Sequence, residues 1–231
     1  MFKPRRARHK MVLTALNALD AVFLARCECY FGGGTRIVLA LDEYRESADI
    51  DFLCASRAGY RTLRSTVTDT SLGSIGKSRL KLAREVIADR YGIRTFLDVG
   101  GEKLKLEIIL EGRIGLAGGA ADELPVPALD AASCCAEKFL ANADRWNDES
   151  ALGRDAIDLA FMAAKWERAA LRAGFETATG AYGKIVATAA RRAATRLVEQ
   201  AAWRRRCVAA LNISDTRTLL TGLRMIAAGK W

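Results

Sequence analysis

Asp49 and Asp51 stand one residue apart in "SADIDF" (47–52). On an extended chain, residues i and i+2 project to the same side. Two carboxylates so placed repel each other. A cation between them removes the conflict, and Mg²⁺ binds through one or two carboxylates plus substrate phosphates. Shortly before comes "GGGT" (32–35), a glycine turn leading into an apolar run. Glycine lets backbone N–H groups close on a phosphate, and a helix N-terminus favours its charge. A third carboxylate on a neighbouring strand would complete a two-metal clamp. Glu107 is the candidate, because Leu104, Leu106, Ile108 and Leu110 alternate onto one face and leave Lys103, Lys105, Glu107 and Ile109 on the other. Either motif alone is common, as a solvated strand edge or a capped turn. Their order carries the reading: glycine turn, helix, Asp-x-Asp strand, later strand with an outward acid.

The elements that must position these groups are legible in outline. Val12, Leu16, Leu19 and Phe23 form a helical stripe, predicting one helix over about 8–27. "CECYF" reads as a short strand into the glycine turn. "TRIVLALDEYR" reads as a helix with Thr35 as its cap. "ADIDFLCA" is a strand with Ile50, Phe52 and Cys54 on one face and Asp49, Asp51 and Leu53 on the other. Residues 77–91 read as helical. Residues 94–110 read as a hairpin turned at Gly100–Gly101. Residues 115–129, rich in Gly, Ala and Pro, read as a linker. Beyond it the chain reads as almost all helix, at about 131–145, 151–173, 181–210 and 215–228.

Charge is uneven along the 231 residues, which carry +9 overall. Residues 1–10 hold five bases and no acid, and residues 181–231 hold ten bases against two acids. The middle is net acidic. Basic ends around an acidic centre suit a polyanionic partner beside a cation-holding site. The basic start followed by "MVLTALNALDAVFLA" resembles an export signal, but Asn17 and Asp20 interrupt it, so it reads as a folded helix. No apolar run is long enough to span a membrane. Six cysteines lack the spacing of a disulfide framework or a zinc site, and the one histidine, His9, is near the terminus. They read as reduced thiols of a cytoplasmic protein.

The order of these motifs resembles the DNA polymerase β-type nucleotidyltransferase superfamily. "GGTRIVLAL…YRESADIDF" is similar, more narrowly, to the AbiEii/AbiGii-type nucleotidyltransferase toxins of bacterial toxin–antitoxin and abortive-infection systems. So is "EKFLANADRWNDESALGRDAIDLAFM", whose Lys138, Arg145, Arg154, Asp155, Asp158 and Leu159 match that family's Lys, Arg and R-D-x-x-D-L pattern. The resemblance covers roughly 30–165. It implies an α+β fold: a polymerase β-like core with a mixed sheet flanked by helices, then a helical C-terminal domain. The division expected is 1–125 and 126–231, the second part completing the active-site cleft.

The resemblance also implies roles. Gly33, Gly34 and Thr35 would hold a nucleoside triphosphate (NTP), with Arg45 and Ser47 beside it. Asp49, Asp51 and Glu107 would bind Mg²⁺, two ions in all. Lys138 would meet the phosphates, and Asp155 or Asp158 would support the site. Lys138, Asn142 and Arg145 share one helical face, as do Asp155, Asp158 and Met162, and a plain salt-bridged helix pair would look the same. The function implied is a toxin that transfers NMP from an NTP to an acceptor hydroxyl, above all the 3′ end of tRNA, and that has a cognate antitoxin. Two other readings stand beside it. One is a small-molecule or protein nucleotidyltransferase. The other is a non-catalytic nucleotide-binding module.

Overall fold

The computed structural model describes residues 3–77 and 80–231. It separates into two compact units. Unit 1 comprises residues 1–39 and 47–130, and unit 2 comprises residues 40–46 and 131–231. No described helix is long and apolar enough to cross a membrane.

Unit 1 is built on a mixed seven-stranded sheet. Its strands are β1 (Cys29–Phe31), β2 (Ile50–Cys54), β3 (Ile87–Ala88), β4 (Gly92–Val99), β5 (Glu102–Leu110), β6 (Gly118–Gly119) and β7 (Ala128–Leu129), in the order β3-β4-β5-β2-β1-β7-β6. β2 runs parallel to β5 and β1 parallel to β7; the remaining pairs are antiparallel. Helices α1 (Ala7–Asn17), α2 (Ala21–Arg26) and α4 (Arg57–Ser65) lie against β4, β1 and β2 respectively. The fold class is therefore the expected one: α+β, with a mixed sheet flanked by helices.

The two-residue turn between β4 and β5 is the predicted one. Gly100 and Gly101 have φ +65° and +90°, the signs that a type I′ hairpin turn requires and that glycine reaches without strain. The core follows from strand alternation. Ile50, Phe52 and Cys54 of β2 and Leu106 and Ile108 of β5 are fully buried in one cluster.

Three local expectations differ from the structure. The predicted helix over 8–27 is two helices, because Asp20 caps a new one, accepting from Phe23 N at 2.9 Å, while its own N–H donates to Ile75 O at 2.8 Å. The described residues of 77–91 form no helix, and Ile87–Ala88 is a strand. Ala83 N–H and Asp98 N–H pair with Phe96 O and Lys81 O, so this stretch spends its backbone groups along β4; residues 78 and 79 lie outside the described residues. The stretch read as a linker supplies β6 and β7.

Helix α3 (Gly33–Ala40) opens at the glycine turn and ends where Asp42 and Glu43 turn left-handed, with φ +59° and +54°. Unit 2 holds α5 (Ala131–Arg145), α6 (Arg154–Lys165), α7 (Arg168–Tyr182), α8 (Ile185–Glu199), α9 (Ala201–Ala210) and α10 (Thr216–Ala227). α5 packs on α6, α7 and α8, and α10 on α6 and α8. Phe139, Leu140, Ile157, Leu159, Phe161, Leu219, Leu223 and Ile226 are buried there.

Candidate functional site

Unit 1 gathers the glycine turn, one aspartate and Glu107. Gly32 N–H donates to Asp51 O at 2.8 Å, extending the β1–β2 pairing to the end of the strand. Gly33 then turns the chain into α3 with φ +66°. A Cβ at Gly33 would stand 2.5 Å from Asp51 Oδ2 and 2.9 Å from its Cβ. Both the backbone angle and the space therefore demand glycine. The helix start is pressed directly against a carboxylate.

Asp51 and Glu107 are register partners on the parallel strands β2 and β5, and Glu107 pairs across β4 with Arg94. Register partners share a face. Arg94, Glu107 and Asp51 thus form a row across three strands, opposite the face that buries Phe52 and Ile108. Glu107 accepts from Arg94 Nε at 2.8 Å and from Lys105 Nζ at 2.5 Å. Partial burial works against its charge, but Lys105 and Arg94 more than offset this and hold its carboxyl below the usual glutamate range. Asp49 precedes β2 by one residue and is exposed.

Thr35 is not the helix cap. The helix begins at Gly33, so Thr35 is its third residue, fully buried, with its hydroxyl 2.8 Å from that of Ser47. Ser47 N–H in turn donates to His9 Nε2 at 3.2 Å. His9 is fully buried. Its place near the terminus hides this role, which its position on the helical stripe three residues before Val12 signals. Arg94 and Lys105 were also missed as partners of Glu107. Lys105 could have been found from its i, i+2 spacing. Arg94 needed the hairpin register.

Unit 2 gathers the remaining predicted residues. Lys138 Nζ lies 2.9 Å from Asp155 Oδ1 and 2.9 Å from Asp158 Oδ2. Arg145 grips Asp155 through Nε and Nη2 at 2.6 and 3.0 Å. Arg45 grips Asp158 through Nε and Nη2 at 2.7 and 2.9 Å, and Tyr44 Oη donates to Asp158 Oδ1 at 2.6 Å. Tyr44 also stacks on Phe161, with centroids 3.8 Å apart. Lys138, Asp155, Asp158 and Arg45 are all buried. Burial opposes every one of these charges. Asp155 and Asp158 outweigh it for Lys138, which is raised above the ordinary lysine value. Lys138 and the arginines outweigh it for the two aspartates, which are depressed. Lys138, Arg145 and Arg45 thus meet Asp155 and Asp158, and Asp148 also acts on Arg145.

Asp51 and Glu107 offer oxygen donors only, in register on one face, with Asp49 just before the strand. In kind and register this set fits a hard divalent cation. Among the described residues, no group of three or more His, Cys, Asp or Glu is drawn together to hold one, and Glu107 is turned to its two cations. All six cysteines are buried free thiols.

A family described as "Nucleotidyl transferase AbiEii toxin, Type IV TA system" matches residues 15–214. A solved structure of a nucleotidyltransferase candidate from H. pylori superposes with TM-score 0.56 at 17% identity, covering 99% of this chain and 97% of that one. A second solved structure, JHP933 from Helicobacter pylori, gives TM-score 0.54 at 15% identity, covering 100% and 95%. At these identities they show a shared fold. No curated protein matches the chain.

Proposed function

The chain belongs to the AbiEii nucleotidyl transferase toxin family of type IV toxin–antitoxin systems, and from that premise we propose that it moves a nucleoside monophosphate from an NTP to an acceptor hydroxyl, with Mg²⁺, in the cytoplasm. The acceptor proposed is RNA, at the 3′ end of tRNA. The observation that carries the reading is the contact of Gly33 with Asp51, together with the register of Asp51 and Glu107. It brings the glycine turn at the start of α3 against Asp51, whose register partner on the neighbouring strand is Glu107.

The acceptor oxygen attacks the α-phosphorus in line; a new P–O bond forms, the bond to the β-phosphate breaks, and pyrophosphate leaves. Cations held by Asp49, Asp51 and Glu107 would draw charge from the triphosphate and lower the cost of ionising the acceptor. Backbone N–H groups of Gly33 and Gly34 at the start of α3 face the phosphate charge. Asp51 or Glu107 takes the acceptor's proton. The Thr35–Ser47–His9 chain fixes the loop before Asp49. For Lys138 and Arg45 the family pattern implies a role at the phosphates. A cognate antitoxin is the expected partner.

The test is transfer of label from each NTP to total tRNA, with Asp51→Asn alongside. Label on tRNA with the wild type alone supports the proposal. NTP consumed with no label on RNA overturns the acceptor and points to a protein or a small molecule. NTP bound but never consumed overturns the reaction.

A further inference from the structure

Two of the six cysteines face each other across the sheet of unit 1. β1 and β2 are antiparallel, with Cys29 opposite Cys54, Tyr30 opposite Leu53 and Phe31 opposite Phe52. In such a ladder, opposed pairs alternate between hydrogen-bonded and non-hydrogen-bonded. Ala55 N–H donates to Glu28 O and Gly32 N–H to Asp51 O, each at 2.8 Å, which marks 28/55 and 32/51 as bonded pairs. Cys29 and Cys54 are therefore a non-bonded pair, the kind whose Cα atoms lie about 4.5 Å apart with the side chains closest. A disulfide needs Cα atoms about 4.4–6.8 Å apart. The register alone thus sets the two sulfurs within bonding reach.

The other thiols are placed differently. Cys134 and Cys135 are successive residues of α5, and a helix turns successive side chains apart. Cys207 lies in unit 2. Cys27 caps the end of α2, and its carbonyl accepts from Cys54 Sγ at 3.2 Å. Cys29 and Cys54 also differ from each other. A hydrogen bond from Cys29 lowers Cys54 below the ordinary thiol value, while burial and the same bond raise Cys29. The thiolate is the nucleophile, so Cys54 is the attacking sulfur and Cys29 the resolving one. Both are fully buried, which shuts out bulky thiol oxidants and leaves a peroxide, little larger than water. Cys54 is the last residue of β2, and a strand end opens more readily than its middle.

We propose that Cys29 and Cys54 are an oxidation site at which hydrogen peroxide forms a disulfide joining β1 to β2. The Cys54 sulfur attacks a peroxide oxygen, the O–O bond breaks, one water leaves and Cys54 becomes a sulfenic acid. The Cys29 sulfur then attacks the Cys54 sulfur; the S–S bond forms, the S–O bond breaks and a second water leaves. Two thiols lose two electrons and two protons, and peroxide is reduced to two waters. The link closes a loop over 29–54, which holds Gly33, Gly34, Thr35, Ser47, Asp49 and Asp51. A cross-link of this kind restricts the unfolded chain and so holds the folded one. Asp51 points away from the face that carries Cys54, so the staple fastens the candidate site without entering it. The proposal does not depend on the transfer reading.

The test treats the full chain with hydrogen peroxide, blocks remaining thiols with N-ethylmaleimide in urea, and maps peptides without reduction. The expected result is an intact mass lower by two hydrogens before blocking, one linked pair joining Cys29 to Cys54, and the other four cysteines blocked. Cys207→Ala keeps the link. Cys29→Ala leaves Cys54 as a sulfenic acid that dimedone captures. Hydrogen exchange of the β1 and β2 amides slows at least about tenfold in the linked protein and returns to its former rate with dithiothreitol. All six thiols still open to blocking, a link from Cys54 to Cys27, or a link that forms only when peroxide is added in urea overturns the pairing. These outcomes are read on the wild type, so no variant has to fold for the proposal to fail. A linked protein whose β1 and β2 amides exchange as before overturns the staple.

Discussion

The backbone of Gly33 lies against the side chain of Asp51 so closely that a single added methyl would come within 2.5 Å of Oδ2. The phosphate-turn candidate and the metal-ligand candidate therefore constrain each other. Gly33→Ala meets both that clash and a left-handed φ of +66°. Backbone strain of this kind costs about 1–3 kcal/mol. The expected result is a protein that still folds, unfolds earlier in urea, and has lost transfer by about a hundredfold or more, the scale of a misplaced reacting group. Wild-type activity in this variant would remove Gly33 from the site.

Asp51→Asn and Glu107→Gln keep shape and remove charge. Asp51→Asn is expected to abolish measurable transfer and to weaken Mg²⁺-dependent NTP binding. Glu107→Gln lowers transfer by about a hundredfold or more, the order lost with one charged group in a transition state. Isothermal titration with NTP, with and without Mg²⁺, separates the two roles. If Glu107→Gln transfers normally, Glu107 is a structural partner of Arg94 and not a third ligand.

Glu107 is held below the usual carboxyl range by Lys105 and Arg94 against the effect of burial. Removing Lys105 takes away a hydrogen bond and a charge that favour the ionised form. In Lys105→Ala the acid limb of the transfer pH profile moves toward neutral. The profile is read as kcat/KM for NTP, and an unmoved limb shows that Glu107 ionisation does not limit the reaction.

The buried group around Asp158 gives a stability prediction with a sign. Asp155 and Asp158 are depressed, so their contribution is complete above the unfolded value of about 3.9 and is lost as pH falls below it. Lys138 is raised, so its contribution is complete below about 10.4 and is lost as pH climbs past it. Between about pH 4 and pH 10 the network is intact. Asp158→Asn breaks it and is expected to cost about 3–5 kcal/mol. The tryptophans, at 146, 166, 203 and 231, all lie in unit 2, so urea unfolding followed by tryptophan fluorescence reads this unit. A wild-type–variant difference that varies across the window contradicts the assigned charges.

Much of unit 1 was legible because its signals are local. Period-two alternation in 50–54 and 104–110 set which face is buried, and Gly100–Gly101 set the hairpin. The stretch at 77–91 was not legible. Its residues suit a helix, yet its backbone groups pair with β4, a partner that sequence spacing does not reveal. Thr35 looked like a cap because hydroxyl residues favour that position; the extra glycines ahead of it let the helix begin three residues earlier. The neighbourhood of Asp51 and Glu107 could be guessed from two outward acids. Their register depends on β2 lying parallel to β5, a pairing between strands about fifty residues apart. His9 and Arg94 fell outside any local motif.

Residues 40–46 are counted with unit 2, although the chain on either side belongs to unit 1. The polypeptide therefore passes from one unit to the other at three points. A gene fragment ending at residue 130 encodes every residue of unit 1 but carries Tyr44 and Arg45 stripped of Asp158. The complementary fragment leaves two buried aspartates without the guanidinium that neutralises one of them. Recombination at that boundary cannot shuffle the halves as independent parts. An exchange of gene segments at that boundary would part Asp158 from the Arg45 that neutralises it.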